Sequence, residues 1–186
     1  VLLNGIWYCA GSTVPWYYPY WYLFITTPIP ILIFFIVGVL VSIRSVFFPS
    51  KLLSFSKLSL LLLLWLFLPL TRYFLPTIAV IDGVRHFEEV LYPLAAIAAI
   101  GFVEIIKNLM KLKRVSKKIR IIFAAILSSF VVCYLLFAII YYHPFQIAYF
   151  NEFVGGAKGA FGNYHLDYWG SSQKKQSNGS MVMQKK

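Results

Sequence analysis

The chain has 186 residues, 60% of them hydrophobic and 12% charged, whereas a soluble domain is nearer half apolar and a quarter charged, so the composition excludes an ordinary water-soluble globule and points to a lipid-embedded protein. The net charge of +11 is not the footprint of a nucleic-acid binder. Ten of the 17 basic residues fall in two inter-helix segments, Arg44, Lys51 and Lys57 in one and Lys107, Lys111, Lys113, Arg114, Lys117, Lys118 and Arg120 in the other. That clustering is the pattern of cytoplasmic loops, and the denser loop also suits contact with anionic lipid.

Val1 opens the chain at a membrane edge without a signal-peptide pattern, which makes a piece of a longer protein the expectation. Trp16, Tyr17, Tyr18, Tyr20, Trp21 and Tyr22 then precede the first apolar run and read as an interfacial aromatic belt. The first transmembrane helix is predicted over about 23–43, with Pro28 and Pro30 in its opening turns, where missing amide donors cost least. The second spans about 58–78 and is interrupted by Arg72, which either snorkels to an interface or lines a polar cavity. The third spans about 87–109, with Pro93 expected to kink or loosen its first turns. The fourth spans about 120–142 and is ended by His143-Pro144.

The predicted fold is therefore an all-α polytopic membrane protein. Residues 1–142 form its transmembrane region, 143–170 a structured extracytoplasmic loop rich in Gly and aromatics, and 171–186 a polar tail expected to be disordered. With the basic loops 44–57 and 107–120 cytoplasmic, the N-terminal aromatic stretch, the loop before the third helix and everything after His143 lie on the outer side.

The stretch "AVIDGVRHFEEVLYP" places Asp82, Arg85, His86, Glu88 and Glu89 within eight residues. Asp82 can cap a helix start and Gly83 can ease the turn before it. Two readings stay open for the rest. Arg85 pairs with Glu88 and Glu89 along one helix face and anchors the helix at the interface, or Arg85 and His86 face a cavity and meet an anionic lipid phosphate, for which an Arg fork is suited. In "YFNEFVGGAKGAFG", the glycines near Asn151 and Glu152 fit a tight loop better than a phosphate cradle, since no Walker pattern or strand precedes them. Glu152 and Asp167 are general bases by residue type alone, with no spacing that pairs them. "HLDYWG" sets His165, Asp167, Tyr168 and Trp169 together, which suits a sugar site and an interfacial anchor equally. Asn178-Gly179-Ser180 matches a glycosylation acceptor. Cys9 and Cys133 offer neither a disulfide framework nor a metal-ligand spacing, so no metal site is predicted on these residues; no cofactor is predicted, and the use of a divalent metal stays open.

Three segments taken together, "PWYYPYWYLFITTPIPILIFFIVG", "IDGVRHFEEVLYPLAAIAAIG" and "HPFQIAYFNEFVGGAKGAFGNYHLDYWGSSQKK", resemble the later transmembrane region of GT-C fold glycosyltransferases. The nearest in kind are the glycosyltransferase family 39 (dolichyl-phosphate-mannose protein mannosyltransferase-like) membrane proteins. The likeness runs from about Pro15 to Lys175, and the combination of D-G-x-R-H-F, Y-F-N-E and D-Y-W-G carries it. Glu88-Glu89 departs from the apolar residues expected after R-H-F, and the chain after "DYWGSS" departs from the expected further helical segment.

The resemblance implies a partial GT-C fold and transfer of a sugar from a polyprenyl-phosphate carrier to an acceptor protein or glycan on the outer face. It also implies that the catalytic carboxylate lies in an earlier outer loop outside this chain, with these residues supplying cavity walls and outer loops. Asp82, Arg85 and His86 match the family's outer-loop motif, and Tyr149, Asn151, Glu152, Asp167 and Trp169 match its post-helix loop. These eight are the candidate substrate-binding residues, with Arg85 expected to stabilise the departing lipid phosphate. The expected partners are membrane lipids, the lipid-linked sugar and the acceptor, with no nucleic acid. Competing readings are a transporter or channel subunit, with Arg72, Arg85 and Glu104 along a pathway, and a purely structural membrane protein.

Overall fold

Asn4 and Gly5 both take positive φ, 51° and 76°, as a two-residue type I′ hairpin turn requires. They join β1 (Leu2–Leu3) to β2 (Ile6–Trp7) in an antiparallel pair, with Leu2 opposite Trp7 and Leu3 opposite Ile6. This hairpin is a small departure from the all-α expectation. The computed structural model describes residues 1–9, 13–48, 53–75 and 83–166, and the rest of the described chain is helices, short 3₁₀ segments and connecting turns. The polar tail, the Asn178-Gly179-Ser180 triplet, Asp82, Asp167, Tyr168 and Trp169 lie outside the described residues.

The helices are α1 (Tyr18–Thr26), α2 (Ile29–Phe47), α3 (Leu53–Thr71), α4 (Leu91–Met110), α5 (Lys117–Tyr141) and the short α6 (Gly156–Ala160). A 3₁₀ turn, Arg72–Phe74, extends α3, and a 3₁₀ stretch, Val84–Val90, leads into α4. Four stretches are long and apolar enough to cross a membrane: Ile29–Phe47, Ser54–Phe74, Val84–Met110 and Lys117–Tyr141. The chain thus has the helical content and the four candidate spans of a polytopic membrane protein.

The first span begins later than its hydropathy suggests. Thr27 is extended (ψ 133°), Pro28 caps α2 and Pro30 falls in its first turn. A residue before proline is driven out of the helical region, so α1 stops at Thr26 and forms a separate helix. The expected loosening at Pro93 is displaced as well. Pro93 sits in the first turn of α4, and the non-helical residue is Phe87 (φ −141°, ψ 31°), where the 3₁₀ stretch breaks.

Two glycines set the closest helix contact. A Cβ on Gly38 would lie 1.8 Å from the Ile97 carbonyl oxygen, and one on Gly101 would lie 1.9 Å from that of Phe34. Backbone meets backbone where α2 crosses α4, as small residues permit between membrane helices. α5 buries no residue and lies at the edge of the bundle. It is tied to α4 at the basic turn, where Arg120 donates to the Met110 carbonyl and Ser116 caps α5 through the Ile119 amide.

Most of the tightly packed core lies at the other end of the bundle. Leu3 of the hairpin, Tyr18 and Tyr22 of α1, Tyr73, Phe87, and Phe150 and Tyr164 of the C-terminal segment all belong to it. Tyr18 and Tyr22 are completely buried, which removes them from the expected interfacial belt; Trp16 and Tyr17 stay exposed. Buried phenols need partners. The Tyr18 hydroxyl accepts from the Gly83 amide at 2.8 Å, and the Tyr22 hydroxyl donates to the Leu2 carbonyl at 3.4 Å.

Candidate functional site

A cavity of about 540 Å³ opens between the starts of α2 and α4 and the end of α5. One wall is Val84, Arg85, Glu88, Leu91 and Leu94. From Arg85 to Leu94 the lining recurs every third residue. Arg85 and Glu88 reach this wall from either side of the break at Phe87, and Leu91 and Leu94 continue the row on one face of α4 at i, i+3 spacing. The second wall is the α5 stripe Leu135, Ala138, Ile139 and Tyr142, at helical spacing. Thr26, Thr27, Pro28 and Ile31 form the third, and Gln146, Ile147 and Tyr149 close it from the segment after α5.

The lining is graded. Arg85, Glu88, Thr26, Thr27, Gln146, Tyr142 and Tyr149 sit at or beyond helix ends, while Ile31 lies in the first turn of α2, Leu94 about one turn into α4 and Leu135 nearly two turns inside the end of α5. A polar mouth over an apolar floor fits a molecule with a polar head and a hydrocarbon chain.

The candidate residues divide among different roles. Arg85 and Tyr149 line the cavity. His86 is not part of its wall; its carbonyl accepts from Arg72 and, at 2.8 Å, from the Tyr73 hydroxyl. Glu89 is not held along the helix by Arg85. It forms an ion pair with Arg72 at 2.8 Å, across the gap between the end of α3 and the 3₁₀ segment. Arg72 also donates to the Tyr73 hydroxyl at 2.9 Å, with its guanidinium 4.9 Å from that ring's centroid. Arg72 therefore ties α3 to the start of α4 and is absent from the cavity wall.

Asn151 has a different role from the one expected of a substrate ligand. It is completely buried. Its Nδ2 donates to the carbonyls of Phe24 (2.6 Å) and Thr27 (3.0 Å), its Oδ1 accepts from the Phe153 amide (3.2 Å), and its own amide donates to the Ile25 carbonyl (2.8 Å). Both side-chain protons serve the carbonyls freed where α1 ends before Pro28. Asn151 is thus the clasp that holds the C-terminal segment on the α1–α2 break. Gly155 and Gly156 behind it take positive φ, 77° and 65°, as the tight turn there requires.

Glu152 is exposed and stands outside the cavity wall, yet it is connected to it. The Tyr134 hydroxyl donates to Glu152 Oε1, and the Tyr149 hydroxyl lies 3.3 Å from that of Tyr134. Burial, and next the bond to Tyr134, push the Tyr149 phenol well above the ordinary tyrosine range, so it keeps its proton.

Sequence reasoning missed Glu88, Tyr142 and the Thr26-Thr27 pair as cavity residues. The every-third-residue row from Arg85 to Leu94 was the available signal for Glu88. Nothing local marks Tyr142, whose place depends on how α5 packs. No protein-family model, characterised protein or solved structure matches the chain.

Proposed function

We propose that this chain is the later transmembrane part of a GT-C fold membrane glycosyltransferase, similar to glycosyltransferase family 39, and that the cavity holds the phosphate end of a polyprenyl-phosphate-linked sugar. One observation carries the reading. The three separate segments of the resemblance each supply a wall of one cavity: Thr26 and Thr27 from the first, Arg85 and Glu88 from the second, Gln146 and Tyr149 from the third. The apolar floor of Ile31, Leu94 and Leu135 suits the first isoprenes, and the Arg85 fork suits the phosphate.

The reaction is an inverting displacement at the anomeric carbon. An acceptor oxygen forms the new bond as the bond to the phosphate oxygen breaks, and the acceptor's proton goes to a carboxylate base supplied from outside these residues. Arg85 stabilises the charge that grows on the departing lipid phosphate. The same reading puts the basic turns 44–57 and 107–120 in the cytoplasm and the cavity mouth outside, in a plasma membrane.

Sugar transfer from a polyprenyl-phosphate-linked donor in membranes carrying the full-length gene product tests the proposal. Arg85→Ala is expected to lower the rate about 100-fold with unchanged yield of folded protein, and Arg85→Lys to recover part of it. A rate unchanged by Arg85→Ala removes the residue from the mechanism. A channel or transporter reading is less well supported, because a permeant ion needs polar groups along its path and the cavity wall turns aliphatic below Arg85 and Glu88.

A further inference from the structure

The hydroxyls of Tyr142 and Tyr149 both belong to residues of the cavity wall, and their rings meet edge to face with centroids 5.2 Å apart. Their hydrogen bonding is directional. A carboxylate has no proton to give, so the single proton of Tyr134 goes to Glu152. The 3.3 Å bond between Tyr134 and Tyr149 must then use the proton of Tyr149. Tyr149 is left with lone pairs only. Tyr142 is the opposite case. Its oxygen accepts from the Ala157 amide at 3.2 Å, and among the described residues its proton has no acceptor. Of these two wall residues, Tyr149 therefore carries an acceptor oxygen and Tyr142 a donor proton, on rings in edge-to-face contact.

A phosphate oxygen takes donors only, and a hydrocarbon chain takes neither. A hydroxyl group takes both, and two neighbouring hydroxyls take the pair most fully. We infer that Tyr142 and Tyr149 form a sugar-hydroxyl subsite beside Arg85, and that Glu152 acts through Tyr134 as a positioning residue that fixes Tyr149 as the acceptor. The inference rests on the proposed lipid-linked sugar donor and adds which side of the cavity holds the sugar.

The test uses the full-length gene product in lipid nanodiscs and two probes, farnesyl phosphate and farnesyl phosphate carrying mannose. Tyr149→Phe and Glu152→Ala are expected to raise the Kd of the glycosylated probe about three- to tenfold, the worth of one neutral hydrogen bond, and to leave the bare phosphate within about twofold. Glu152→Gln keeps an acceptor for Tyr134 and is expected to bind as the parent does. Arg85→Ala weakens both probes. Equal weakening of both probes by Tyr149→Phe, no weakening of either, or a Glu152→Gln defect as large as that of Glu152→Ala overturns the subsite while leaving the donor reading in place. Failure of the unsubstituted protein to bind either probe overturns the donor reading, and the subsite with it.

Discussion

Asn151 shows how a residue's chemistry can be plain while its role is not. Between two short motifs, an Asn beside a Glu reads as a ligand pair. In the folded chain the two side chains part: Asn151 turns inward to the carbonyls of Phe24 and Thr27, and Glu152 stays exposed on Tyr134. Leaving buried carbonyls without donors costs about 1–3 kcal/mol each. Asn151→Ala is therefore expected to lower stability by about 3 kcal/mol, read as a lower thermal midpoint in detergent. Asn151→Asp should not restore it, since a carboxylate would face two carbonyl oxygens; a midpoint within a degree of the parent for Asn151→Ala removes the clasp. Arg72 and Glu89 are a second case. Both are ordinary end-of-helix charges, and each is 40% exposed in its side chain. An exposed pair is worth about 0.2–1 kcal/mol, so its use is to register α3 against the start of α4 more than to stabilise the bundle.

At the scale of elements, apolar length placed the spans and proline moved their ends. The run from Leu23 is uniformly apolar, so hydropathy alone joins α1 to α2. Thr27 and Pro28 divide them, and the division matters because it frees the carbonyls that Asn151 binds and bends Thr26 and Thr27 into the cavity wall. The contact of α2 with α4 depends on Gly38 and Gly101. Each looks like a tolerated glycine in a long apolar run, since nothing within one helix tells which face meets another. Gly101→Leu is expected to force the two backbones apart and abolish the folded state, seen as loss of a monodisperse peak in size-exclusion chromatography. Gly101→Ala carries the same Cβ, 1.9 Å from the Phe34 carbonyl oxygen, and is expected to cost about 3 kcal/mol or more. A Gly101→Leu protein with the parent's thermal midpoint would show that the crossing is dispensable.

Across the whole molecule, three regions far apart in the chain share one end. The hairpin turn docks on the C-terminal segment through the Gly5 amide to the Asn163 carbonyl (3.2 Å) and the Tyr164 hydroxyl to Asn4 Oδ1. Trp21 of α1 joins them through Nε1 to the Tyr164 hydroxyl at 3.0 Å. This aromatic cap and the cavity beside it stand at the end opposite the basic turn between α4 and α5. Sidedness can be measured with single cysteines in a background without Cys9 and Cys133. In intact cells a membrane-impermeant maleimide is expected to label Lys158→Cys and to spare Lys113→Cys until the cells are opened. The opposite pattern would place the cavity mouth in the cytoplasm, where an outward-facing transferase reading fails.

The sequence by itself determined the helical class, the four spans and the two basic turns, because these depend on apolar length and on where charge interrupts it, both properties of a local window. It also carried the Asn4-Gly5 turn and the every-third-residue row from Arg85, legible in principle and small enough to pass over. Only the tertiary structure decided that Glu89 meets Arg72 and not Arg85, that Tyr18 and Tyr22 are buried, and that Asn151 holds the chain together while Tyr149 faces the cavity. The physical reason is common to all of them. A membrane helix is apolar on every face, so its pattern does not say which face meets another helix. The polar partner of a buried donor or acceptor is then set by packing between separate segments, 65 residues apart for Tyr18 and Gly83 and 127 for Asn151 and Phe24.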